Sequence, residues 1–321
     1  MLSDLHGRQI TYLRLAVTGR CGLRCLYCRP PAGEPAAEAW SWTAAELETV
    51  VRAAVAEGLT KVRLTGGEPL ERADLPEILR RLSHVSGVQD LGLTTNGQLL
   101  AERAADLAEA GLRRINISLD SLDPEVYRRI TGGGSFERAW EGVTAALAAG
   151  LDPVKINTVL LRGHNDAEVR DFAALARDHG LHVRFIELMP IGPAAALAEA
   201  LFYPAEEALA QLADAGLGPP EQAGSGPATT WRLGAGSVGV ITPVTAPPCL
   251  ACNRLRITAT GRLRPCLTQA DEVDLRPALF GPHPEAALRE AFREAVRLKP
   301  PRGAHLDGCC VPTLAMCQVG G

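Results

Sequence analysis

At 321 residues the chain is long enough to bury a large core, as one large domain or as one with an appendage. Its 46% hydrophobic and 22% charged content is that of a soluble globular protein, and a net charge of -4 gives no general reason to expect nucleic acid or an anionic membrane as partner. No apolar run is long enough to span a bilayer and no charged-then-apolar leader precedes Leu13, so the expected compartment is cytoplasmic.

Ile10 to Thr18 is strand-like and runs into a cysteine-rich loop; residues 30–39, rich in Pro, Ala and Gly, form an irregular link. Thr43 with Glu46 reads as a capping box for a helix whose apolar face carries Leu47, Val50, Val51, Ala54 and Val55 and which Gly58 ends. The unit then recurs. Lys61–Thr65 is a strand followed by Gly66-Gly67-Glu68-Pro69, with Asp74 as cap of the next helix. Gln89–Thr94 leads into Thr95-Asn96-Gly97, and Arg113–Leu119 into a helix opened by Asp123-Pro124. Val154–Leu160 precedes a helix that Asn165 and Glu168 would cap, and Leu181–Leu188 is the sixth strand. Gly58, Gly111, Gly150 and Gly180 each precede a leucine, so a left-handed helix end passes directly into a returning strand. Six such units with short loops imply a parallel sheet, and no Gly-x-Gly-x-x-Gly follows the first strand, which weakens a dinucleotide fold. The expected fold is α/β, an incomplete barrel of six strand–helix units.

Near residue 190 the rhythm breaks, and 191–321 reads as a C-terminal α+β region that completes the opening of the barrel formed by a first domain of 1–190. It holds a helix near 206–215, an exposed loop at 216–228, a hairpin over Trp231–Val244, a second strand pair over Leu255–Leu267 and a helix over Pro284–Leu298. The tail, ending Gly320-Gly321, has no propensity for regular structure.

Nine cysteines, an odd number clustered at both ends of the chain, argue for metal thiolates over disulfides. Cys21, Cys25 and Cys28 are spaced C-x3-C-x2-C, and Cys249, Cys252 and Cys266 are spaced C-x2-C-x13-C. Three thiolates on a four-iron cluster leave one iron open, which suits holding and reducing a small molecule. A zinc site with a distant fourth ligand, or plain core thiols, are the alternatives for the first set; zinc is the alternative for the second, with Cys309, Cys310 or Cys317 able to supply a fourth ligand. Arg254 and Arg256 alternate on one strand face, a geometry that clamps phosphates; a solvated basic hairpin is the bland reading. Lys155 and Arg184 stand in otherwise apolar strands, so each must pair or face a cavity.

The N-terminal spacing, with Tyr27 before the third cysteine, resembles the signature of radical S-adenosylmethionine enzymes. Across nearly the whole chain the sequence resembles the GTP 3',8-cyclase family, which performs the first step of molybdenum cofactor biosynthesis. The likeness is carried by Leu13-Arg14-Leu15, Arg63 to Leu70, Thr94 to Gly97, Asn116 to Asp120, Lys155 to Asn157, Arg184 to Glu187, Cys252 to Arg256 and the terminal diglycine. The resemblance implies two [4Fe–4S] clusters, one on each cysteine triad. It places Gly66, Gly67 and Glu68 on the methionine amino side of S-adenosylmethionine, with Tyr27, Thr95, Ser118 and the backbone near Met189 seating the rest. It places Lys61, Arg63, Lys155 and Arg184 around the GTP triphosphate and ribose. Arg14, Arg254, Arg256 and the Gly320-Gly321 tail then support the cyclisation, in which a 5'-deoxyadenosyl radical takes the C3' hydrogen and the sugar carbon attacks guanine C8. It further implies a homodimer, an electron donor such as flavodoxin or ferredoxin, and hand-over of the product to cyclic pyranopterin monophosphate synthase. Gly19 and Gly22 depart from the usual aspartate and asparagine of the family, and Cys309, Cys310 and Cys317 are unusual in this tail.

Overall fold

The computed structural model describes residues 2–28, 41–222, 226–307 and 316–320; the expected link at 30–39, Cys309, Cys310 and Gly321 lie outside them. Six strands, β1 (Tyr12–Ala16), β2 (Lys61–Thr65), β3 (Asp90–Thr95), β4 (Arg114–Ser118), β5 (Val154–Leu160) and β6 (His182–Glu187), pair in parallel in chain order. Between them run α1 (Ala44–Ala56), α2 (Leu75–Ser83), α3 (Ala104–Glu109), α4 (Pro124–Thr131), α5 (Phe136–Ala148) and α6 (Val169–His179).

The period of two in the strands separates two environments. Leu13 and Leu15 of β1, Val62 and Leu64 of β2, and Ile115 and Ile117 of β4 are buried in one apolar core. That core includes Leu47, Val50 and Val51 of α1 and Leu75, Ile78, Leu79 and Leu82 of α2. The opposite face carries Tyr12, Arg14, Lys61, Arg63, Arg114 and Lys155, which line a cavity. Parallel sheets are ordinarily apolar on both faces, so a charged inner face is the mark of a site.

After a short α7 (Ala198–Leu201) and α8 (Ala205–Gln211), the remaining strands extend both edges of the same sheet. On one side β9 (Gly236–Ile241) joins β6 in parallel and carries antiparallel β8 (Thr229–Leu233) and then β7 (Pro220–Gln222). On the other, β10 (Arg254–Ile257) joins β1 in parallel, followed by antiparallel β11 (Arg262–Arg264) and β12 (Val273–Asp274). The described residues thus form one mixed twelve-stranded sheet besides a small hairpin of Leu2–Ser3 with Gln9–Ile10. After α9 (Arg276–Leu279), α10 (Pro284–Arg297) buries Leu288, Phe292 and Val296, while its Arg289 and Arg293 both reach the Glu57 carboxylate at the end of α1.

Local signals fared unevenly. Both bonds of the Thr43–Glu46 capping box form, and Gly58, Gly111, Gly150 and Gly180 all take positive φ. Asp74 makes no capping bond and pairs with Arg72 instead. Asn165 does not cap α6: its side chain accepts from the Leu161 N–H and donates to the Asp120 and Val159 carbonyls, and a 3-10 turn over Asp166–Glu168 precedes the helix. Glu168 turns away to receive Ser121 and the Leu122 N–H. In each case another partner takes the side chain: a neighbouring arginine for Asp74, and groups at the ends of β4 and β5 for Asn165 and Glu168. The expected loop at 216–228 contains β7, and the tail forms one helical turn, α11 (Met316–Val319).

Candidate active site

The cysteine loop leaves β1 and is fastened by backbone bonds from Arg24 N–H to the Thr131 carbonyl and from Leu26 N–H to the Ile130 carbonyl, both 2.9 Å. Cys21, Cys25 and Cys28 line one cavity of ≈ 230 Å³ with Tyr27, Gly66, Gly67, Thr95, Ser118 and Met189. The glycines are there because backbone passes against backbone. The Gly67 N–H donates to the Thr18 carbonyl and the Glu68 N–H to the Arg20 carbonyl, at 2.7 and 2.6 Å. A β-carbon on Gly66 or Gly67 would lie 2.2 Å from the Thr18 oxygen or 2.0 Å from the Arg20 oxygen.

Glu68 stands behind this wall. Its carboxylate accepts from the Thr95 hydroxyl at 2.7 Å, the Leu70 N–H at 2.9 Å and the Asn96 N–H at 2.7 Å, tying the loop after β2 to the loop after β3. Burial pushes its pKa up to about 7 despite these donors. Asn96, so held, donates to the Cys21 sulfur at 3.7 Å. Tyr27 donates to Asp120 at 2.6 Å, and Asp120 also accepts from the Val159 N–H at 2.9 Å, so the cysteine loop is pinned to the ends of β4 and β5. Burial raises Asp120 to about 6.

A second cavity of ≈ 490 Å³ adjoins the first: Asn157, Ile186, Met189 and Met316 line both. Cys249, Cys252 and Cys266 are part of its lining. Strand register arranges its cations in rows. Arg256, Arg14, Arg63 and Arg114 fall in one row across β10, β1, β2, β3 and β4, in which β3 contributes Gly92. A β-carbon on Gly92 would sit 2.2 Å from a terminal Arg63 nitrogen, so glycine there makes room for the guanidinium. Arg254, Tyr12, Lys61 and Asp90 form the parallel row, and Lys155 and Arg184 stand on β5 and β6.

Among the described lining residues nine are Lys or Arg and one, Asp90, is a carboxylate. Their electrostatics follow. Burial, then repulsion from Arg184, Arg114 and Arg63, lowers Lys155 to about 7. Burial and Arg63 bring Arg184 down to about 10, and burial with Arg14 and Arg254 lowers Arg256 well below its usual value. Burial would raise Tyr12, yet Arg63, Arg14 and Arg254 outweigh it and bring the phenol to about 8. Arg262 and Arg264 point elsewhere, to Asp274 and Glu272.

The tail enters between these walls. The Gly320 carbonyl accepts from Arg14 Nε at 3.2 Å and from an Arg256 terminal nitrogen at 2.5 Å. Gly320 has φ +72° and lies against Thr65.

Sequence reasoning missed several supports. Lys299 donates to the Arg254 carbonyl at 2.8 Å and the Pro265 carbonyl at 2.7 Å, clasping the cysteine hairpin. Arg8, paired with Asp4, reaches the Cys249 carbonyl at 2.8 Å. Glu187, at the end of β6, accepts from the Val244 and Thr245 N–H groups and the Ala205 N–H. Each acts across more than a hundred residues or through a loop, and only an unpaired charge in an apolar setting, as at Glu187, could have flagged them.

Residues 15–176 match the family model described as Radical SAM superfamily, and 181–305 the one described as Molybdenum Cofactor Synthesis C. The crystal structure of Streptococcus suis SuiB bound to precursor peptide SuiA matches with a TM-score of 0.66 at 14% identity, covering 93% of this chain and 72% of that one. This likeness concerns the fold: a radical-SAM-like mixed sheet with flanking helices. The protein named GTP 3',8-cyclase from Moorella thermoacetica is 47% identical over 325 residues, 100% of both chains. Those of the same name from Pelotomaculum thermopropionicum and Geobacter sulfurreducens are 47% identical over 329 residues and 44% identical over 328, covering 100% of this chain and at least 99% of the relative. Fold and cysteine loop define a radical S-adenosylmethionine enzyme. Within that class, the chain belongs to the GTP 3',8-cyclase family. Among the described residues no helix is long and apolar enough to cross a membrane.

Proposed function

We propose that the protein cyclises GTP to (8S)-3',8-cyclo-7,8-dihydroguanosine 5'-triphosphate with S-adenosylmethionine, as the first step of molybdenum cofactor biosynthesis. The observation that carries this is the pair of adjoining cavities, one with the Cys21, Cys25 and Cys28 triad and Cys317, the other with nine cations, three thiols and a single carboxylate among the described lining. Only a polyanion relieves such a concentration of like charge. The parallel units form an incomplete (β/α)6 barrel that the C-terminal region closes, with the division near residue 190.

The thiols fit the expected clusters. Cys21, Cys25, Cys28, Cys249, Cys252 and Cys266 are all free of disulfides. When bound, the clusters supply the electron for S-adenosylmethionine cleavage and an open iron for guanine. The chain's own residues do the rest. Gly66 and Gly67 leave room for the methionine end, and Thr95, Ser118, Tyr27 and Met189 bound its seat. Glu68 acts from behind by fixing Asn96 and Thr95. Lys61, Arg63, Lys155 and Arg184 neutralise the triphosphate, while Arg14 and Arg256 hold the Gly320 carbonyl and Arg254, in the parallel row, stands two residues from Cys252 of the second triad. Enclosure of both substrates in one chamber keeps the reacting carbon from solvent. Flavodoxin or ferredoxin as electron donor, a homodimer, a cytoplasmic setting and cyclic pyranopterin monophosphate synthase as next enzyme complete the reading.

Anaerobic reconstitution with iron and sulfide, then dithionite, S-adenosylmethionine and GTP, tests it. The expected result is about eight irons per chain, GTP-dependent 5'-deoxyadenosine and a cyclised nucleotide. Iron near half that value with zinc making up the difference overturns the second cluster, and nucleoside release indifferent to GTP overturns the substrate.

A further inference from the structure

The thiol of Cys317 belongs to neither triad. It nevertheless lines the same ≈ 230 Å³ cavity as Cys21, Cys25 and Cys28, is 7% exposed, and shares a hydrogen bond with the Cys28 thiol. Its place is set from outside the cavity. Cys317 sits on the single turn of α11, three residues before the Gly320 carbonyl that Arg14 and Arg256 hold, and beside Met316, which lines both cavities. A docked tail therefore delivers a fourth thiol to a cavity that already has three.

Building on the N-terminal cluster proposed above, we propose that Cys317 is the fourth, displaceable ligand of that cluster. In the resting enzyme its thiolate closes the iron that S-adenosylmethionine will take; the incoming amino and carboxylate groups expel it. Four thiolates complete a [4Fe–4S] site, and a closed site keeps water and oxidants off the iron until the co-substrate arrives. The step is a ligand exchange. The Cys317 thiol gives its proton to solvent, an Fe–S bond forms, and an iron-bound water leaves; on displacement the Fe–S bond breaks and the thiolate takes a proton back. No electron moves.

The test uses the anaerobically reconstituted full-length holoenzyme and its Cys317→Ala variant. If the closed form holds about nine-tenths of the resting population, the apparent Kd for S-adenosylmethionine, without GTP, falls about tenfold in the variant. Without S-adenosylmethionine, the EPR spectrum of the reduced N-terminal cluster differs between the two proteins, and saturating ligand makes the spectra coincide. Equal Kd values with superimposable ligand-free spectra overturn the proposal. Should the variant fail to fold, iodoacetamide mapping of the native holoenzyme decides. Cys317 is expected to be shielded without S-adenosylmethionine and alkylated with it. Equal reactivity of Cys317 in both states, with Cys21, Cys25 and Cys28 shielded, overturns the fourth ligand alone. Reactivity of all four overturns the cluster as well.

Discussion

Gly320→Ala isolates the role of the tail. At φ +72° an alanine carries a left-handed backbone, which costs ~1–2 kcal/mol for an L-residue. Its β-carbon would also lie 2.3 Å from Thr65 Cγ2. Thr65 is 2% exposed on β2 and β-branched, so its methyl cannot swing clear. Taking about 2 kcal/mol as a lower bound, the docked-to-free ratio of the tail falls by a factor of about 30. Undocking also strips the Gly320 carbonyl from Arg14 and Arg256, two guanidiniums that burial already disfavours. The expected outcome is a loss of GTP-dependent product formation of at least an order of magnitude, with faster amide exchange at residues 316–320 and unchanged iron content. Thr65→Ser removes the methyl but not the backbone strain, so the double variant should recover part of the rate. Product formation within about twofold of the parent, with unchanged exchange, would refute the reasoning.

Gly92→Ala pushes a methyl onto Arg63, whose guanidinium bonds the Leu93 carbonyl and the Tyr12 hydroxyl. The KM for GTP should rise roughly tenfold, about the worth of one displaced charged hydrogen bond, while binding of S-adenosylmethionine measured without GTP stays the same. Lys155, brought to about 7 by burial and its cationic neighbours, should regain its proton as a triphosphate neutralises those neighbours. Calorimetry at pH 8 in two buffers of different ionisation enthalpy should show proton uptake on GTP binding, absent in Lys155→Met; equal heats in both buffers would count against it. Burial raises the folded-state pKa of Glu68 to about 7 from an ordinary carboxyl value of 4.5, so its contribution is fully present below about 4.5 and is lost as pH rises through 7. Relative to Glu68→Gln, the unfolding free energy of the metal-free protein should fall by about 3 kcal/mol between pH 4.5 and 8. A flat difference would show that the carboxylate is not desolvated as the structure places it.

Strands and helices of the first six units were legible because their information is local: a period of two or 3.6, a capping box at Thr43, a glycine at each helix end. Residue chemistry at short spacing was legible too, in the cysteine loop and in the alternation of Arg254 with Arg256. Neither could say which partners distant polar groups find. Asn165 and Glu168 carry the letters of a cap but bond elsewhere, since a buried carbonyl or hydroxyl competes with the first helical turn for the same side chain. Glu68 depends on distance too: three donors from the loops after β2 and β3 hold its carboxylate, partners that its neighbours in sequence do not foretell. The rows of cations needed register, which β10 sets by pairing with β1 across more than two hundred residues. Composition and periodicity determined the layered scaffold and supplied the thiols and cations; chain closure alone brought them, Lys299 and the Gly320 carbonyl into adjoining cavities, because contacts between distant segments are written in no local pattern.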